Sequence, residues 1–303
     1  MPGAAGRTAY LAYRAGADVA RVLPPAIGST LARTTSRALT RVWSTKRAQV
    51  QRNLQQVAGG RLTDAELRVA TEAVFENYAR YWHEMFRLSA RDLPTLEERV
   101  ESEGYHHLTA AVAGGRGAVL ALPHLGNWDL AGAWLAARGH RVTVVAETVE
   151  PPELFEWFVA QRRSLGMEVV ALGPSSLVEV VRAAREGAVI CLVSDRDLTG
   201  DGVPVELFGA PTTMPGGPAM VALRAGVPLL SAGVSFLPGG RGVARIGAPL
   251  PVDRRGRLRD DVQRVTQELA NRFEELIAAA PEQWLVMQPV WPSASGVGVN
   301  AAP

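Results

Sequence analysis

The 303-residue chain is 47% hydrophobic and 20% charged, ordinary proportions for a globular fold that exclude wholesale disorder and a fibrous repeat. Its single cysteine, Cys191, excludes an internal disulfide and any multi-cysteine metal site. The net charge of +2 is unevenly placed. Nine basic residues stand against Asp18 alone before residue 61, and the remainder is net acidic, so the amino-terminal segment suits an anionic surface.

Residues 7–23 predict a helix with Arg7, Arg14, Asp18 and Arg21 on one arc and Ala9, Ala12, Tyr13, Val19 and Leu23 opposite. That pattern fits a helix lying at a membrane interface, and equally one packed on its own domain. No run reaches the roughly 18 apolar residues of a membrane span. Arg14, Asp18 and Arg21 also interrupt any signal-peptide core. The chain is therefore expected to stay where it is made, with residues 7–60 as a basic, membrane-facing helical segment that does not cross the bilayer.

A further helix is expected from Thr63, whose spacing to Glu66 is that of a capping box. Leu67, Ala70, Val74, Tyr78, Tyr81 and Met85 then give it one apolar face. From Gly117 the pattern changes. Apolar runs at 118–122, 142–146, 168–172 and 188–194 read as buried strands. They alternate with helices near 128–138, 151–165 and 176–186, the last opened by a capping box at Ser176 and Glu179. Strands near 227–236 and 242–248 and a long helix at about 257–280 follow, and the small polar tail 293–303 is expected to be disordered. Strand–helix alternation predicts an α/β fold with a mainly parallel central sheet, one domain with an N-terminal helical layer.

Several signatures are missing. There is no Gly-x-Ser-x-Gly elbow, no phosphate-binding P-loop and no dinucleotide fingerprint. Of the five histidines, His83, His106, His107 and His140 read as ordinary surface, core or helix-end residues. His124 differs. In Ala118-Val-Leu-Ala-Leu-Pro-His124-Leu-Gly-Asn-Trp-Asp129 it leaves the carboxyl end of a buried strand, where parallel sheets place their ligands. Gly126 permits a tight turn, Asn127 suits an N-cap, and Asp129 falls in the first helical turn. Such a turn can return the Asp129 carboxylate to the imidazole, giving a general base without a nucleophile of its own. The alternative is a structural His–Asp pair tying strand to helix.

His124-Leu-Gly-Asn-Trp-Asp129 resembles the His-x4-Asp signature of glycerolipid and lipid A-type acyltransferases. Tyr78-Ala-Arg-Tyr-Trp82, Phe155 to Gly166, Ser194-Asp-Arg-Asp-Leu198, Phe208 to Pro211, Met214 to Pro218, Pro281-Glu-Gln-Trp284 and Met287 to Trp291 agree in order. Within that superfamily the chain is most similar to the actinobacterial phosphatidylinositol mannoside acyltransferases, over about residues 7–291. The resemblance implies transfer of a fatty acyl chain, palmitoyl above all, from acyl-CoA to a mannose hydroxyl of a phosphatidylinositol mannoside. It places the enzyme at the cytoplasmic membrane face as a peripheral protein. The sequence shows no metal-ligand cluster, so no metal is expected, and no cofactor beyond acyl-CoA as co-substrate.

By position, the resemblance makes His124 the base and Asp129 its orienting partner. It implies a catalytic-site place for Asp195, where relatives often carry Glu. Its role stays open between supporting His124, contacting the sugar and bracing the loop. Arg162, Glu147 and Arg196 become candidate substrate-binding residues, although Arg196 and Asp197 also suit a structural pair. The alternatives are another glycolipid or lysophospholipid as acceptor, or a non-catalytic lipid-binding protein. Nucleic acid is not an expected partner, since the basic residues lack aromatic interleaving.

Overall fold

A computed structural model describes residues 4–197 and 200–292; the tail 293–303 and Leu198 lie outside the described residues. The amino-terminal layer consists of α1 (Ala4–Val22), α2 (Pro25–Val42), α3 (Ser44–Val57) and α4 (Asp64–Arg87). The expected capping box starts α4: Thr63 Oγ1 accepts from Glu66 N, and Glu66 accepts from Thr63 N at 2.9 Å. A short 3₁₀ turn (Ala90–Thr95) and α5 (Leu96–Arg99) lead into β1 (Val100–Glu103).

The α/β body follows as α6 (Tyr105–Val112), β2 (Ala118–Leu122), α7 (Trp128–Ala137), β3 (Val142–Ala146), α8 (Pro152–Ser164), β4 (Met167–Ala171), α9 (Ser176–Arg185) and β5 (Val189–Val193). A hairpin, β6 (Val203–Leu207) and β7 (Ala210–Met214), precedes α10 (Gly217–Ala225), β8 (Leu229–Leu237), β9 (Arg241–Pro249) and α11 (Leu258–Ala278).

Seven strands form one sheet in the order β1-β9-β8-β2-β5-β3-β4. Every neighbouring pair is parallel except β8 with β9, as the strand–helix alternation predicts. Strand β2 is central, because its two faces enter two different apolar clusters. Val119 and Ala121 pack with α10 and α11, whereas Ala118, Leu120 and Leu122 pack with α7. A strand buried on both faces reads as an unbroken apolar run. The chain moves from β2 toward β3 and β4 on one side, while β8 and β9 lie on the other, so the carboxyl end of β2 is a topological switch point.

The structure departs from the sequence pattern in a few places. No capping box joins Ser176 and Glu179. Ser175 is the N-cap and its hydroxyl donates to Glu179 Oε1 at 2.6 Å, while Ser176 Oγ donates to Gly173 O at 2.7 Å. The β6–β7 hairpin carries no sequence signal because its turn uses Phe208 (φ 49°) with Gly209 (φ 71°), a left-handed pair usually announced by Asn or Asp. β1 escapes notice because only Val100 of its four residues is buried. His140 does not simply end a helix; its Nε2 lies 2.7 Å from the Tyr105 hydroxyl.

Candidate active site

Strand β2 delivers the loop Pro123–Asn127 to the sheet's carboxyl edge. Gly126 turns it with φ 60°, and a Cβ there would stand 2.1 Å from the carbonyl oxygen of Val234, so only glycine lets the loop lie against β8. Asn127 caps α7 as expected: its side-chain oxygen accepts from Leu130 N at 3.0 Å, and its amide donates to Glu84 Oε2 at 3.0 Å.

The imidazole of His124 is held by Asp195, just past the end of neighbouring β5. Asp195 Oδ1 lies 2.5 Å from His124 Nδ1, and Oδ2 accepts the main-chain N–H of His124 at 2.9 Å and the indole N–H of Trp284 at 2.6 Å. Asp195 is fully buried. Burial by itself pushes its carboxyl up, but the charge of His124 and the bonds from the His124 ring, the Trp284 indole and the His124 N–H outweigh that and hold it below the usual aspartate value. In the neutral ring, Nδ1–H donated to the carboxylate leaves the lone pair on Nε2.

The expected bond from Asp129 to His124 is corrected. Asp129 is also buried, but its carboxylate faces Arg162, which donates from Nε at 2.7 Å and from a terminal nitrogen at 3.2 Å, and Tyr81, whose hydroxyl donates at 2.7 Å. The bidentate guanidinium fork outcompetes the imidazole for this acid. Burial works against the Arg162 charge, yet Asp129 more than offsets it and holds the guanidinium above the usual arginine range. Burial likewise pushes the Tyr81 hydroxyl well up, so it remains a donor. Trp128 ties the two acid centres together. Its ring meets the His124 ring edge-on at 5.3 Å and stacks on Tyr81 at 4.3 Å.

His124, Asp129, Arg162, Glu147 and Arg196 all line one cavity of about 910 Å³, which runs inward past apolar residues such as Leu120, Gly132 and Ile246. Glu147 stands half-exposed at its rim, with a carboxylate oxygen 3.5 Å from an Arg196 terminal nitrogen. Arg196 thus pairs with Glu147. Its Nε is buried, with no hydrogen-bond partner among the described residues. Asp197 braces the following turn, accepting from Gly200 N, Gly202 N and Thr213 Oγ1. Cys191 also lines the cavity, and burial pushes its thiol up to about 12, which leaves it neutral. Among the described residues, no three His, Cys, Asp or Glu side chains gather as a metal site. Just before α7, the Gly126 N–H is taken by Gln283 O at 3.0 Å and is not free to meet a ligand oxygen.

Three residues gained no individual role from the sequence: Tyr81, Trp128 and Trp284. The two tryptophans sit inside the motifs quoted above, and Tyr81 inside Tyr78 to Trp82. Nothing in local spacing says that residues so far apart in the chain converge on two carboxylates.

A switch-point histidine held by a buried aspartate at the mouth of a deep apolar cavity suits an enzyme that handles long aliphatic groups. The chain belongs to the bacterial lipid A biosynthesis acyltransferase family, whose sequence model matches residues 6–293, and it is an acyltransferase. It is 38% identical over 289 residues to the phosphatidylinositol mannoside acyltransferase of Mycolicibacterium smegmatis, covering 94% of this chain and 92% of that protein. It is 45% identical over 225 residues to the protein of the same name from Mycobacterium tuberculosis (strain H37Rv), covering 72% of this chain and 69% of that one.

Proposed function

We propose that the protein transfers a fatty acyl group from acyl-CoA, with palmitoyl-CoA the favoured donor, to a mannose hydroxyl of a phosphatidylinositol mannoside, with His124 as general base. The observation that carries this reading is the bond between His124 Nδ1 and Asp195 Oδ1 at the mouth of the apolar cavity. It leaves Nε2 to take a proton.

The acceptor hydroxyl loses its proton to Nε2 of His124 as its oxygen attacks the thioester carbonyl carbon. The tetrahedral intermediate then collapses, the carbon–sulfur bond breaks, and the imidazolium returns the proton to the departing thiolate. Asp195 orients the ring and stabilises the imidazolium. The aliphatic chain takes the cavity, Arg162 and Tyr81 fix Asp129 beside it, and Glu147 and Arg196 meet the polar acceptor at the rim. No acyl-enzyme forms, since the one cysteine is a half-buried, neutral thiol, and no cofactor beyond acyl-CoA takes part.

The enzyme works as a peripheral protein on the cytoplasmic face of an anionic membrane. Among the described residues no helix is long and apolar enough to cross one. Leu11, Val19 and Val22 on α1 and Ile27 on α2 are exposed. α1 also adjoins the cavity: Tyr13 packs edge-on against Trp82 and Phe158, both lining residues. Incubating the protein with radiolabelled palmitoyl-CoA and phosphatidylinositol mannosides, lysophospholipids and lipid A precursors tests the reading. A labelled mannoside is the expected product; label on a different acceptor alone would reassign the substrate.

A further inference from the structure

The carboxyl-terminal segment carries a motif that the reaction sketched above does not use. Residues 282–288 run as a strap along the His124 loop. Leu285 N donates to His124 O at 2.7 Å and Gly126 N to Gln283 O at 3.0 Å, so the loop bearing the histidine is bonded to the strap on both sides of Leu125. The strap is itself tied down from three directions. Asn77 of α4 donates to Glu282 O at 2.9 Å, and Asn53 of α3 donates to Val286 O at 3.1 Å and Gln288 O at 3.0 Å. Phe236 N of β8 donates to Gln283 Oε1 at 2.5 Å. The one strap side chain that reaches the charged pair is the buried indole of Trp284.

A carboxylate turns readily about its terminal bond, whose torsion is broad. Oδ2 of Asp195 receives two donors fixed by the fold, the His124 main-chain N–H and the Trp284 N–H, and that leaves Oδ1 facing the imidazole. The indole does more than orient. During transfer the imidazolium must keep its Nδ1 proton, and each strong donor on Oδ2 lowers the carboxylate's appetite for it. Trp284 does not line the cavity, and its one side-chain hydrogen bond to the charged pair is the indole N–H donated to Asp195 Oδ2.

We infer that Trp284 is a positioning residue for the transfer reaction, its indole N–H locking the Asp195 carboxylate in the orientation and charge state that His124 needs. The inference rests on His124 being the base. It makes the site a three-part assembly from the β2 loop, the β5 end and the carboxyl-terminal strap, with α3 and α4 holding the strap in place.

The test replaces Trp284 with 3-benzothienylalanine, which keeps the shape of the ring and removes the N–H, and in a second variant with Phe. Palmitoyl-CoA and a phosphatidylinositol mannoside serve as substrates. A hydrogen bond to a charged group corresponds to roughly a 10- to 100-fold effect, so kcat should fall by about that factor while KM stays within about twofold. In protein carrying ¹⁵N-labelled histidine, the low-field Nδ1–H resonance of His124 should move in both variants. Wild-type kcat in the benzothienyl variant with an unmoved resonance would overturn the inference, as would a change confined to KM. His124→Ala, run in the same assay, separates the two ideas. Activity retained there would remove the base reading, while the Nδ1–H resonance in the two Trp284 variants, which keep His124, would still report whether Trp284 sets the carboxylate.

Discussion

Nδ1 of His124 and Oδ1 of Asp195 lie 2.5 Å apart across the carboxyl ends of two neighbouring parallel strands, although 71 positions separate the two residues in the chain. The contact follows from register. Leu122 of β2 stands opposite Val193 of β5, and Ser194 N donates to Leu122 O at 2.9 Å, so the two chains leave the sheet side by side. A slip of one residue would turn Asp195 to the opposite face.

Asp195→Asn keeps the size of the side chain and removes its charge. The amide can present its NH₂ to the imidazole, which favours the wrong tautomer, and kcat should fall by at least about 100-fold with little change in KM. Steady-state kinetics of the purified variant check this. A raised KM at unchanged kcat would instead make Asp195 a sugar-binding residue.

Asp129 should behave differently. Its carboxylate is buried against Arg162 and Tyr81, and breaking a buried ion pair by removing one partner costs about 3–5 kcal/mol. Asp129→Ala and Arg162→Ala should each lower stability by roughly that amount, and the double variant should lose much less than the sum. Urea unfolding of the four proteins measures the coupling. Additive losses would mean that the pair contributes nothing of its own.

Much of this arrangement is legible in the sequence. The β2–turn–α7 unit declares itself through an unbroken apolar run, a glycine that must adopt a positive φ and an asparagine cap, and all three appear as read. Spacing also places Asp129 within one turn of His124. What spacing does not carry is competition: Arg162 arrives on α8 from 33 positions away and claims the carboxylate. The same limit applies to Arg21. It belongs to the basic arc of α1, yet its long side chain turns to the protein, donating to Phe86 O at 3.0 Å and Gln161 Oε1 at 3.1 Å. Arg14 stays exposed and bonds to Tyr10. Reach across the fold is invisible to a helical wheel.

His83 gives the molecule a pH dependence. Burial lowers its pKa, and the nearby Arg87 charge adds to that, against a smaller opposing effect of Glu84. Its buried Nε2 has no hydrogen-bond partner among the described residues, and a Cβ on Gly28 of α2 would stand 2.3 Å from it. A histidine with a lowered folded-state pKa is protonated more readily when unfolded, so its contribution to stability is lost as pH falls below about 6.5. His83→Gln should lose less stability than wild type between about pH 7 and pH 5. Parallel curves in chemical denaturation across that range would contradict the assignment.

Membrane contact should depend on the exposed apolar residues of α1 and α2. Leu11→Asp combined with Val22→Asp removes two of them and should weaken binding to phosphatidylinositol-containing vesicles by at least about tenfold, since each buried side chain contributes on the order of 1.5 kcal/mol. Turnover of a short-chain soluble acceptor should barely change. Cosedimentation at equal levels for variant and wild type would assign the face another purpose.

The measurement that bears most directly on the whole account is the rate of palmitoyl transfer from palmitoyl-CoA to a phosphatidylinositol mannoside by wild type and by His124→Ala, with circular dichroism confirming that both are folded. His124 lies at a loop tip, partly exposed at the cavity, and Asp195 keeps its bonds from the main-chain N–H of position 124 and the Trp284 indole, so the variant should lose some stability but remain folded. Loss of a general base predicts a rate at least about 100-fold lower, and up to about 10,000-fold. A folded His124→Ala protein that transfers palmitate at the wild-type rate would contradict the mechanism outright.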